Sequence, residues 1–61
     1  MEAKDYLAAI RDKGLTQADV AEKTGIPQPT ISKIERGDGT RDVMSRNYRA
    51  LQALYVEVMA A

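Results

Sequence analysis

Side chains able to carry covalent or metal chemistry are scarce in this sequence. It has no cysteine and no histidine, which excludes thiol and imidazole catalysis and the usual zinc ligand sets. The carboxylates are scattered, no glycine-rich phosphate loop is present, and 61 residues leave little room for a substrate pocket. No catalytic residue, cofactor, metal or small-molecule ligand is therefore expected. What remains is the chemistry of recognition, carried by amide, hydroxyl, ammonium and guanidinium groups. Nine basic and nine acidic residues cancel, with a pI near 6.1, which is not the balance of a general nucleic-acid binder. The charges are uneven, however. Lys33, Arg36, Arg41, Arg46 and Arg49 stand against Glu35, Asp38 and Asp42 over one stretch, whereas acids outnumber bases before it.

Those groups need elements to hold them, and the chain punctuates its elements clearly. Ala3, Tyr6, Leu7 and Ile10 recur at three- and four-residue spacing, predicting a helix from about Ala3 to Asp12. Gly14 followed by Leu15 is its stop signal. Thr16 and Asp19 form a capping box with aspartate in place of the usual glutamate, opening a second helix over Gln17 to Thr24 that Gly25 closes. Ile26-Pro27 reads as a turn into a third helix, Gln28 to Arg36, with Pro29 in the first turn, where no helical bond is lost. Ile31 and Ile34 form its inward stripe, and Gly37 ends it. Tyr48, Leu51, Leu54, Tyr55 and Val58 give a last helix from about Ser45 to Met59. The expectation is an all-α fold: one small domain over residues 1–61 with four helices, or five if Thr40–Met44 forms a short turn.

The informative stretch is Gln17 to Arg36, QADVAEKTGIPQPTISKIER. Two helices joined by a tight glycine turn need a small residue at their contact (Ala21), a positive φ at the turn (Gly25) and shared apolar faces (Val20, Ile26, Ile31, Ile34). The second of such a pair projects a solvent face that fits the major groove of DNA. Thr16 through Ala21, then Gly25, then Gln28 through Glu35 and Gly37, resemble the helix-turn-helix family of phage Cro and repressor proteins and their bacterial relatives. The resemblance is strong from Leu15 to Gly37 and looser beyond, where the proline common in that loop is absent.

The resemblance implies a lambda-repressor-like fold, double-stranded DNA as partner and roles for single residues. Gln28, Pro29, Thr30, Ser32 and Lys33 would face base edges: Gln28 matches adenine N6 and N7, and Lys33 guanine O6 and N7. Pro29 stands where relatives often carry a polar side chain; it can only pack, as on a thymine methyl. Gln17, Arg36, Thr40 and Arg41 would contact phosphates, with Gln17 also orienting Gln28. It further implies a Cro-like repressor that reads an inverted repeat as a homodimer, for which the apolar last helix (residues 45–60) offers Leu54, Tyr55, Val58 and Met59.

No apolar run approaches the ~20 residues of a membrane span, and no signal-peptide core begins the chain. A cysteine-free chain fits a cytoplasmic setting. The alternative from a different class is a helical protein-interaction module of antitoxin type, which the neutral charge favours, since fold does not fix function.

Overall fold

A computed structural model describes residues 2–37 and 45–61. Four helices follow in order: α1 (Ala3–Asp12), α2 (Gln17–Thr24), α3 (Gln28–Arg36) and α4 (Ser45–Ala60). The described residues are otherwise turns and extended links, so the fold is all-α. α1 packs against α3 and α4, and α2 packs against the same two helices. The fifth helix expected over Thr40–Met44 lies outside the described residues.

Each boundary has a local cause. At the start of α1, the Asp5 carboxylate accepts from the Glu2 backbone N–H at 2.9 Å, a cap that the sequence reading did not anticipate. At its end, Lys13 and Gly14 N–H bond back to the carbonyls of Ile10 and Arg11. Thr16 and Asp19 form the expected box, with Asp19 N–H donating to Thr16 Oγ1 at 3.1 Å and Thr16 N–H donating to Asp19 Oδ2 at 3.0 Å. The bond from Thr16 N–H, and a second from the Thr16 hydroxyl, hold the Asp19 carboxyl below its ordinary value of 3.8.

The turn between α2 and α3 is fastened twice. Gly25 takes φ +78° and donates its N–H to Ala21 at 2.8 Å. The Thr24 hydroxyl donates to the Val20 carbonyl at 2.6 Å and accepts from Ile26 N–H at 3.2 Å. Ile26 is thereby aimed into the core. A Cβ on Gly25 would meet nothing within 4 Å, so backbone conformation alone, and not space, requires glycine there.

The core joins Ala3, Tyr6, Leu7, Ile10, Val20, Ile26, Ile31, Ile34, Leu51 and Leu54. Leu7, Ile10, Val20, Ile31 and Leu51 are fully buried, each contributing about 1.5–3 kcal/mol. Tyr6 on α1 is held by α4: its ring meets Tyr48 edge-on at 5.5 Å and Tyr55 at 5.1 Å, and Gln52 Nε2 donates to its hydroxyl at 3.3 Å. The Tyr6 hydroxyl, together with burial, raises the pKa of the Tyr48 phenol.

One expectation is corrected here. Leu54, assigned by sequence to a surface for a second copy, is 4 % exposed and belongs to the protomer's own core. It sits on the α4 stripe with Leu51, three residues before it, which faces inward. Tyr55 and Val58 pack partly against that core, whereas Met59 and Val56 are 40 % and 60 % exposed. Val56 belongs to the exposed apolar surface that the sequence reading gave partly to Leu54.

Gly25→Ala is expected to destabilise the domain by about 1–2 kcal/mol, the cost of a Cβ in the left-handed conformation, with Gly25→Asn less harmful; urea midpoints measure both. The Asp19 contribution has a defined pH sign. Its folded-state pKa is depressed, so its stabilisation is complete above the ordinary carboxylate value and disappears as pH falls through the folded value. The urea midpoint of Asp19→Ala should therefore lie below that of the parent at pH 6 and converge on it in strong acid.

Candidate nucleic-acid interface

The site is built on α3, and the stripe that anchors this helix dictates what it presents. Ile31 and Ile34 are buried. At about 100° per residue, Pro29 and Arg36 lie opposite that stripe, with Ser32 and Lys33 on either side. Gln28, Pro29, Lys33 and Arg36 are exposed, and Ser32 and Thr30 are half-buried. Thr30 falls on the flank nearest Ile34, so it is the least outward of the five expected base-facing residues. Thr40 and Arg41 lie outside the described residues.

The ends of α3 are held differently. Its N-terminus has no side-chain cap; Pro27 precedes it, and the N–H groups of Thr30 and Ile31 both donate to the Pro27 carbonyl at 3.0 Å. At its other end, Gly37 takes φ +83° and donates to Ile34 at 3.0 Å.

A polar clasp that the sequence reading missed ties α3 to α1 and α2. Glu35 Oε2 accepts from Gln17 Nε2 at 2.9 Å, and Glu35 Oε1 lies 3.2 Å from Arg11 Nη1. Arg11 Nη1 is itself sealed from solvent, so Glu35 supplies the charge that answers it. Gln17 was expected to orient Gln28; its amide nitrogen is instead engaged by Glu35, on the same flank of α3 seven residues along. No local spacing rule joins residues 11 and 35, which meet only once three helices have packed.

The clasp also reshapes the electrostatics. Glu35 is the acidic side chain of α3, and its charge is turned onto Arg11. Lys33 and Arg36 are the charged side chains on the outward side of α3. No group of three or more potential metal ligands occurs among the described residues, and no described helix is long and apolar enough to cross a membrane.

A glycine-turned helix pair that buries one face of its second helix and presents the other, basic one, defines a helix-turn-helix domain. The chain matches the family model described as helix-turn-helix over residues 7–48, from the second turn of α1 into α4. It belongs to the helix-turn-helix family of Cro and repressor type, a family of DNA-binding regulators. A similar protein, named P2, comes from Acyrthosiphon pisum secondary endosymbiont phage 1; it is 37% identical over 54 residues, covering 88% of this chain. The chain spans 56% of that relative's length. No solved structure matches the chain.

The clasp can be tested by a double-mutant cycle. Both side chains are about one-third exposed, so solvent screening limits the Arg11–Glu35 coupling to about 1 kcal/mol. Arg11→Ala and Glu35→Ala should each destabilise, and the double variant should be less unstable than their sum. A coupling of zero in urea unfolding would show the pair to be energetically idle.

Proposed function

We propose that the chain is a sequence-specific transcriptional repressor of Cro type, which occupies an inverted-repeat operator in double-stranded DNA as a dimer, with α3 in the major groove. The observation that carries this reading is the outward side of α3, where Ser32, Lys33 and Arg36 stand, with Gln28 on the flank of its first turn, on one anchored helix whose acid, Glu35, is bound to Arg11 and Gln17. Gln28 reads adenine through a bidentate amide contact, Lys33 takes guanine O6/N7 or an adjacent phosphate, and Ser32 with Thr30 lines the flanks. Arg36 grips the backbone, as do Thr40 and Arg41 by resemblance. With its side-chain nitrogen on Glu35, Gln17 meets a phosphate through its backbone N–H at the start of α2, where the helix dipole favours an anion.

One helix reads only a few base pairs, so specificity needs two, related by a two-fold axis and ~34 Å apart. Tyr55, Val58 and Met59 on α4, joined by Val56, provide the surface for the second copy. Repression follows from occupancy: the bound dimer excludes polymerase from the promoter, and protein concentration sets the level. The phage origin of the P2 relative agrees with a Cro-type role in a host cytoplasm.

The neutral total charge favours one other reading, a protein-interaction module of antitoxin type. Salt separates the two, because each phosphate neutralised releases a counterion and makes affinity fall steeply with ionic strength.

Selection of binders from a random duplex library should enrich an inverted repeat with half-sites one helical turn apart. No enrichment at low salt, with the protein folded by circular dichroism, would transfer the assignment to the interaction module. On the enriched site, Gln28→Ala should lose about 1–3 kcal/mol and relax preference at one base pair, whereas Arg36→Ala should weaken all sequences alike and lower the salt slope by about one.

A further inference from the structure

We infer that the first turn of α3 reads the C5-methyl group of a pyrimidine through the ring of Pro29, so that binding responds to thymine, and equally to 5-methylcytosine, at one position of each half-site. This rests on the reading of the chain as a double-stranded DNA binder.

A helix N-terminus ordinarily offers up to four unbonded N–H groups, and these suit phosphate. In α3 that supply is cut to one. Pro27 and Pro29 have no N–H, and that of Thr30 is committed to the Pro27 carbonyl at 3.0 Å. Gln28 retains the remaining N–H of this turn, and it lies to one side of the outward direction. What the turn places outermost is the Pro29 ring, exposed and directly opposite the buried Ile31–Ile34 stripe. Arg36 lies on the same line two turns later.

The ring can offer only C–H surface. Among the markers along the major groove, the thymine C5-methyl is the apolar one; the others are hydrogen-bond donors and acceptors. A base edge of that second kind pressed against Pro29 would lose water without gaining a partner, which costs affinity. Pro29 therefore selects by attraction to a methyl and by exclusion of polar edges. Cytosine methylated at C5 presents the same carbon at the same place.

The experiment titrates the whole chain against its selected operator and against duplexes in which each thymine in turn is replaced by deoxyuridine, which removes the methyl group alone. One thymine per half-site should prove sensitive, weakening binding about fourfold, the factor for one methyl-sized group taken out of water. At that position 5-methylcytosine should bind more tightly than cytosine by a similar factor. Pro29→Ser, which puts a hydroxyl in place of the apolar ring, should bring the thymine and deoxyuridine operators close to equal affinity. Serine is well tolerated at the start of a helix and Pro29 occupies the first turn, so circular dichroism should find α3 retained. Tight operator binding indifferent to deoxyuridine at every thymine, or a methyl preference that survives in Pro29→Ser, would overturn the inference. Absence of specific duplex binding by the folded parent would instead overturn the DNA-binding reading, and this inference with it.

Discussion

Nine residues cannot hold a helix in water unaided, and α3 is nine residues long. Its existence depends on what lies beneath and beside it. Ile31 and Ile34 sink into a core assembled from all four helices, and Glu35 fastens its last turn to α1 and α2. α2 is shorter still and equally dependent. The unit of stability is therefore the packed set, and α3 is presented as a rigid body because no part of the set is stable alone. In a domain this small, the helix proposed to meet DNA and the helices that make the core are one cooperative structure.

Charge is organised by the same packing. A neutral chain is a poor general ligand for a polyanion, and three of the nine acids here are placed where they serve folding. Asp5 and Asp19 cap helices, and Glu35 answers a shielded arginine. Each of these carboxylates has a partner within the protein. Lys33 projects from α3 without such a structural task, and Arg36 shares its face.

Much of the fold was legible because the signals are local. The boundaries of α1, α2 and α3 follow from Thr16, Asp19, Gly14, Gly25 and Gly37, each of which acts within a turn of its own position. Helical spacing found the core stripe of α4 for the same reason. What was not legible depends on long-range contact. The Arg11–Glu35–Gln17 clasp joins three helices, and charges of opposite sign at such separations are too common to single out. Leu54 was misplaced because an apolar arc on α4 is wider than the core it covers; which edge faces inward is decided by α1 and α2, not by α4. The candidate site was legible as far as α3's outward residues, since they follow from the inward ones by subtraction. Gln17 shows the limit of resemblance: its position was transferable, whereas its side-chain partner depends on Glu35 and the particular packing beneath it.

The tyrosine cluster gives the molecule a built-in reporter. All three tyrosines of the chain, Tyr6, Tyr48 and Tyr55, are gathered at the α1–α4 contact, and the sequence contains no tryptophan. Near-ultraviolet absorption, dichroism and intrinsic emission therefore all originate at one place. They record the joining of the first helix to the last, the contact with the greatest separation along the chain. α3 carries no aromatic side chain and is optically silent. Closure of the fold and the proposed occupation of α3 by a duplex can consequently be followed as separate events in one unlabelled sample, the first by tyrosine and the second by the nucleic acid's own signal.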